Sequence, residues 1–597
     1  MNIESPLLAH PLLVESLRPE VTIIVGILLL IIVPNLGNAT VRIPMTQFRI
    51  PVFLGGERFR ATSDPLIPGV ISLFTLLLAM ASSLMTFVEG AALSTVCISA
   101  NGAIQQGCAG SSDYILRSDA FSRIFTSIFN FALLVGTAAM INRMPAYADA
   151  KSPHPDSSDS FRARAIRILL NNRRQGDFHL LVLFVALGMS IVALSTNLFL
   201  LFVGLELASL AIYVLVAFMK EETTSGEAAT KYFLTGSVSS AITLYGMSLL
   251  YIWSGSATDY TSATLNLTGP QGLAASWAAM ETIEPLAAVG FGMLLVGFGF
   301  KVSAVPFHFA APDAYSGTSS PMASILATAS KAMGFAALLR VLVVMTGPEF
   351  GSAAFWLPLI GILSVITMTW GNLAALSTHN PKRMLAYSSV AHAGYLLAAL
   401  AALGSGLASE STNELLITAV VFHLLVLAFF KSGAFLVLTM TEIRDDSSSI
   451  ESLYGLGRRD PIIAVAMFVF MLALAGVPPL SGFLSKFLVI DGIVSASTGS
   501  GSISAADALA WLNSVHWIFW LAISMALNSA LSLFYYLRIG QVMFFEKSKS
   551  ILPLPDAPMI RITVILCLIL TVIAGIGPFS QTLVDMATMA AQHLLKV

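Results

Sequence analysis

A chain of 597 residues that is 56% apolar and only 11% charged, with a mean hydropathy of +0.82, is excluded from the ordinary soluble enzymes, whose charged fraction is about 25%. The net charge of −2 gives no basis for a nucleic-acid partner or an acidic substrate, and three cysteines are too few for a thiolate metal cluster. At roughly 20 residues per span the length accommodates a dozen or more transmembrane helices, and the apolar runs lack the period-two alternation of a barrel. The expectation is an all-α polytopic membrane protein. The first twenty residues lack a basic region ahead of a cleavage site, so no removable signal peptide is expected.

In chain order, apolar stretches of spanning length fall near 20–35, 69–93, 119–141, 178–194, 197–219, 230–254, 286–304, 322–346, 354–376, 384–403, 414–440, 462–496, 511–537 and 560–583. That predicts about 14 transmembrane helices. The seventh runs into Val305-Pro306 and the twelfth contains Val477-Pro478-Pro479. Proline removes a backbone donor and clashes one turn back, so both are expected to be broken helices, at Pro306 and at Pro478 and Pro479.

Lys and Arg in the connections set the orientation. Six alternate connections hold 22 of the 31 basic residues, whereas the stretches 94–112, 255–285, 347–353, 404–413 and 497–510 hold none. The basic loops are therefore expected in the cytoplasm and both termini outside, in a prokaryotic cell membrane. Cys97 and Cys108 fall together in one of the outside connections, where an oxidising environment favours a disulfide between them.

Five basic residues remain inside spans: Lys301, Lys331, Arg340, Lys431 and Lys486. Each costs about 2.5–3.5 kcal/mol at a helix centre, relieved by snorkelling only near an interface. Arg340, close to a helix end, reads as an interfacial anchor. Lys301, Lys331 and Lys486, beside the breaks or mid-span, read as functional. Glu206, in Gly204-Leu205-Glu206-Leu207-Ala208-Ser209, is the acidic counterpart, and a Glu–Lys pair would keep it ionised. Glu89 reads as interfacial and Lys231 stands at the cytoplasmic mouth of the sixth helix. His308, His392 and His423 lie in or near spans, where an imidazole either packs or passes a proton. No two share a helix at metal-ligand spacing, so a metal site is not expected.

Several stretches together carry more than any single charge: Gly204-Leu205-Glu206; Glu227-Ala228-Ala229-Thr230-Lys231-Tyr232-Phe233; Phe300-Lys301-Val302-Ser303-Ala304-Val305-Pro306-Phe307-His308; Ala329-Ser330-Lys331; Lys382-Arg383-Met384-Leu385-Ala386-Tyr387-Ser388-Ser389 with His392-Ala393-Gly394-Tyr395; and Gly476-Val477-Pro478-Pro479-Leu480-Ser481-Gly482-Phe483-Leu484-Ser485-Lys486-Phe487. In order and spacing, from 178 to 538, they resemble the antiporter-like subunits of respiratory complex I. The likeness is greatest to the N-type subunit, which has counterparts in mitochondria and plastids. Two departures stand out. Ala310 replaces a frequent Trp, and Phe430-Lys431-Ser432-Gly433 resembles the L- and M-type relatives.

The resemblance implies two inverted five-helix repeats, each with a broken helix. The implied layout is a three-helix segment over 1–177, repeats over 178–346 and 354–538, and a last helix over 539–597. It implies proton translocation through Glu206, Lys231, Lys301, Lys331 and Lys486, with His308, His392, His423 and Lys431 as further candidate relays. No cofactor is expected in this chain: flavin or deazaflavin, iron–sulfur clusters and a quinone-like carrier would belong to partner subunits, both membrane-arm and peripheral redox subunits. Two rival readings follow from the same residues. An Mrp-type cation/proton antiporter subunit shares the fold, but a sodium site would want convergent carboxylates. A structural membrane scaffold would have no use for five in-span cations.

Overall fold

The computed structural model describes residues 15–42, 48–54, 56–57, 59, 62–88, 96–99, 104–106, 114–151, 172–219, 222–256, 263–269, 272–280, 282–345, 356–403, 408–444, 449–498, 516–547 and 554–595. Glu89 and Cys108 lie outside them. The first six spans are α1 (Arg18–Ile32), α2 (Ile67–Val88), α3 (Ala120–Lys151), α4 (Asn172–Leu194), α5 (Leu198–Val216) and α6 (Thr223–Ser256). Their starts follow local chemistry. Pro19 opens α1, while the Asn197 side chain caps α5 by accepting from the Phe199 and Leu200 N–H groups, satisfying donors that a helix start leaves orphaned.

The seventh span breaks as expected. α7 (Pro285–Val302) stops at Ser303, which adopts the left-handed region at φ 62°, and Pro306 prevents the helix from resuming until α8 (Ala310–Gly317). The eighth span is α9 (Ser320–Ile325), a π turn over Leu326–Ser330, and α10 (Lys331–Met345). That wide turn, which periodicity does not disclose, lies directly before Lys331. Spans nine to eleven are α11 (Trp356–Ser377), α12 (Pro381–Ala402) and α13 (Glu410–Arg444). The twelfth is divided into α14 (Pro461–Ala475) and α15 (Ser481–Thr498) by Gly476, at φ 85°, and Pro478-Pro479. α16 (Phe519–Phe544) follows.

One expectation needs correction. The fourteenth span does not run on to 583: α17 (Pro558–Ile573) stops at Ile573 and α18 (Gly577–Leu595) leaves at 87°. The intervening Gly575-Ile576-Gly577-Pro578 lets the chain turn, with Gly577 at φ 74°. Among the described residues, 12 helices are long and apolar enough to span, or up to 13 with the bent pair counted as one; the expected 14 requires α14–α15 as a further, divided span. The all-α class holds, with short strands confined to the connections between helices. These strands form an antiparallel pair, β1 (Leu36–Arg42) with β2 (Arg49–Leu54), and a three-stranded sheet ordered β4 (Ile104–Gln106), β3 (Val96–Ser99), β5 (Tyr114–Ser118).

The packing separates two kinds of helix. α3, α9–α10, α12 and α13 are almost wholly enclosed, whereas α1, α2, α6, α11 and α16 present Leu28, Phe74, Val238, Ile362 and Leu527 outward. Hydrocarbon is the medium such faces suit. The enclosed helices carry Lys331, His392, His423 and Lys431, all buried.

Candidate proton-transfer site

In the first half, α5 places Glu206 and Ser209 three residues apart, on one helical face. Lys301 leaves the last turn of α7 and its ammonium donates to Ser209 Oγ, which in turn donates to the Leu205 carbonyl. Glu206 Oε1 accepts from Ser240 Oγ of α6 at 2.6 Å. Lys301 and Glu206 are thus each bonded to a serine, Ser209 and Ser240, and no direct hydrogen bond joins the two. The ammonium also lies 5.8 Å from the Tyr213 ring and 5.5 Å from the Phe300 ring. Lys231, near the start of α6, pairs with Glu227 at 2.7 Å and with Asp313 of α8 at 3.1 Å. Asp313 also binds Arg383 of α12 at 2.5 Å. All of these side chains reach solvent or lipid, so these pairs are open to screening.

The second half holds a longer arrangement. Lys331, the first residue of α10, donates to the Ser389 carbonyl at 2.5 Å. Lys431 of α13 donates to Ser388 Oγ at 3.0 Å, and that hydroxyl lies 2.6 Å from Tyr536 OH of α16. Tyr536 OH is 3.4 Å from His392 Nε2; His392 Nδ1 is 3.0 Å from His423 Nε2; His423 Nδ1 is 3.1 Å from Ser485 Oγ. The next residue, Lys486, donates to Ser529 Oγ and to the carbonyl of Ala475, each at 2.9 Å. Lys331, Lys431, Lys486, His392 and His423 are all buried. Hydroxyl and imidazole groups both donate and accept, so contacts of this kind can carry a proton between amines.

His308 is not part of that arrangement: it is buried against Phe309 and Trp370. Among the described residues, no three His, Cys, Asp or Glu side chains gather to hold a metal ion. Cys97 is buried on β3 and disulfide-bonded, and Cys567 is a buried free thiol.

Sequence reasoning missed two buried ionic clusters. Glu442 of α13 accepts from Lys382 at 3.0 Å and from the Ser320 N–H at 3.0 Å, and lies 3.5 Å from Arg143. Positive charge at helix ends near a basic connection reads as routine topology, which hid Arg143 and Lys382. At the opposite end, beside β5, Asp119 pairs with Arg117 at 3.1 Å and Arg340 at 3.4 Å, and Arg123 meets Glu20 at 3.4 Å. Arg340 also donates to the Ala193 carbonyl at 2.6 Å and is 1% exposed, so it is an internal ion-pair partner and not an interfacial anchor.

The chain is similar to known proteins in sequence and in fold. The family described as NADH:quinone oxidoreductase/Mrp antiporter, TM, matches residues 195–508. NADH-quinone oxidoreductase subunit N 2 of Sorangium cellulosum is 34% identical over 472 residues, covering 78% of this chain and 83% of the relative. The F(420)H(2) dehydrogenase subunit N of Methanosarcina mazei is 35% identical over 448 residues, 72% of this chain and 80% of that one. A chain of respiratory complex I from Thermus thermophilus superposes with a TM-score of 0.63 at 27% identity, over 93% of this chain and 96% of that chain. The chain thus belongs to the NADH:quinone oxidoreductase/Mrp antiporter transmembrane family, on its subunit N branch.

Proposed function

We propose that this chain is a proton-translocating membrane-arm subunit of a complex I-like respiratory dehydrogenase, coupling electron transfer in partner subunits to proton movement through its own buried amines. The run of contacts from Lys431 through Ser388, Tyr536, His392 and His423 to Ser485, beside Lys486, is the observation that carries this reading. A lysine in water holds its proton too firmly to pass it on; removal from water and a nearby cation weaken that hold. Glu206 acts in the opposite sense on Lys301, with Ser240 bonded to the carboxylate and Ser209 to the ammonium, both hydroxyls able to turn. When the balance shifts, the proton on Lys301 is released toward Lys331 and onward to the Lys486 end. The breaks beside Pro306 and Pro478-Pro479 permit irregular, hydrated backbone at that depth.

In this reading the basic loops face the cytoplasm and both termini lie outside. Flavin or deazaflavin, iron–sulfur and quinone chemistry belong to partner subunits. The Mrp branch of the family offers the second reading, against which stands the buried chemistry: one Glu among amines at the first break, where a hard cation would want several oxygen ligands. The test is reconstitution of the purified complex in vesicles, with oxidoreduction and pH-gradient formation measured together. Lys331→Ala and Lys486→Ala should each lower pumping and slow oxidoreduction. Wild-type coupling in both variants, in an assembled complex, would overturn the relay; a pH gradient that requires sodium would favour the antiporter reading.

A further inference from the structure

The sequence places Gly575 inside an apolar run, but the structure sets it in the elbow between α17 and α18, pressed on the break of the twelfth span. A Cβ added there would overlap Pro479 O and stand 2.5 Å from Ser481 N and 2.6 Å from Leu480 C. All three are backbone atoms, so no change of rotamer makes room. Any side chain at 575 must displace the break or the elbow.

The displaced atoms lie close to a buried amine. Lys486 sits in the second turn of α15, and its ammonium donates to the carbonyl of Ala475, the last residue of α14. The break thus determines how far that carbonyl lies from the ammonium. Gly476, within the break, leaves so little space that a Cβ there would be 3.0 Å from Lys486 Cδ and 3.4 Å from Nζ. The elbow is itself secured from its far end. Along α18, Thr588 bonds to Thr418 at 3.4 Å, Gln592 donates to Glu414 at 2.9 Å, and the His593 carbonyl accepts from Arg117 at 3.0 Å, while Leu583, Ala587 and Ala591 are buried.

The first half has a counterpart. Val305 N–H, in the break of the seventh span, donates to Thr367 Oγ1 of α11 at 3.1 Å. In each half, the break is therefore met by the span two places further along the chain, the ninth for the seventh and the fourteenth for the twelfth. We propose that Gly575 is a positioning residue for proton transfer at Lys486: its lack of a side chain seats the elbow against Pro479–Ser481 and fixes the distance between the Ala475 carbonyl and the Lys486 ammonium. This rests on the relay reading above.

The test compares Gly575→Ala, Gly577→Asn and Lys486→Ala in the intact complex, reconstituted in vesicles, with the proton-to-electron ratio recorded across pH. Gly577 belongs to the same elbow, but its Cβ position is open and Asn tolerates its left-handed backbone, so Gly577→Asn should match wild type. Gly575→Ala should lose pumping ratio and shift the pH at which pumping falls off. A wild-type ratio and pH profile in assembled Gly575→Ala, alongside a deficient Lys486→Ala, overturns the positioning role and leaves the relay standing. Wild-type pumping in Lys486→Ala overturns the relay itself, and the positioning role with it. Should Gly575→Ala fail to assemble, the pair Thr588→Val and Gln592→Leu loosens α18 and keeps the glycine. Amide exchange over residues 476–486 should then rise, and unchanged exchange overturns the proposal.

Discussion

His392 Nδ1 and His423 Nε2 face each other at 3.0 Å across α12 and α13, although 31 residues separate them in the chain. A neutral imidazole has one donor and one acceptor nitrogen, so the two rings and the hydroxyls beyond them, Tyr536 and Ser485, can align in one sense or the other. Moving a proton along the row reverses that sense.

Replacing either ring should therefore interrupt transfer even though every lysine remains. His423→Phe keeps the volume filled and removes both nitrogens. The expected result is an assembled complex with a reduced proton-to-electron ratio in vesicles. A ratio equal to wild type in both His423→Phe and His392→Phe would remove the rings from the path.

At the first break, the structure sharpens a different expectation. Lys301 donates to Ser209 and not to Glu206. Lys301→Arg keeps the positive charge and can still reach a serine, but a guanidinium does not release its proton at accessible pH. The variant should assemble and fail to pump, with oxidoreduction slowed as well. A structural ion pair forecasts the reverse, with Arg tolerated. Full activity in Lys301→Arg would exclude this residue from the relay.

Much of this was legible in the sequence for a physical reason: hydrocarbon permits few exceptions. A charge inside a span is expensive, so Lys301, Lys331, Lys431, Lys486 and Glu206 stood out against their apolar surroundings, and Pro306 and Pro478-Pro479 marked the breaks by backbone chemistry alone. Three-dimensional pairing was less legible. Ser209, Ser388 and Tyr536 are residues that pack in many membrane helices, and only the fold brings them beside the amines. Arg340 was misread because distance from a helix end says nothing of whether a carboxylate such as Asp119 waits there. The right-angle elbow at Gly575 was hidden within a continuous apolar run, since hydropathy measures composition and not direction.

The loop carrying Cys97 supplies a further test. Cys97 is disulfide-bonded on β3 and Cys567 is a free thiol, which makes Cys108 the expected partner. Closing a loop of about a dozen residues is worth roughly 3 kcal/mol in the chain-entropy account. Alkylation of the denatured, unreduced protein followed by peptide mass analysis should label Cys567 alone. Labelled Cys108 would refute the pairing.

The Asp119 cluster makes a stability prediction with a definite sign. Burial pushes the Asp119 carboxyl up, but Arg340, Arg117 and the Ser122 N–H together overcome this and hold it below the usual aspartate value of 3.8. A carboxyl whose folded value is depressed contributes stability above the unfolded value, and that contribution is lost as the pH falls through the lower, folded one. At neutral pH the contribution is complete. Arg340→Ala, which leaves Asp119 buried with one partner fewer, should cost about 3–5 kcal/mol, the usual effect of breaking a buried pair. Adding Asp119→Asn removes the stranded charge and should recover part of that loss. Asp119→Asn alone should also make unfolding less sensitive to acid below about pH 4, the region in which the native carboxylate otherwise takes up its proton. Thermal unfolding of the four proteins at pH 7 and pH 3.5 checks all of this. Additive losses in the double variant, or an acid dependence unaltered by Asp119→Asn, would show that the pair does not act as a unit.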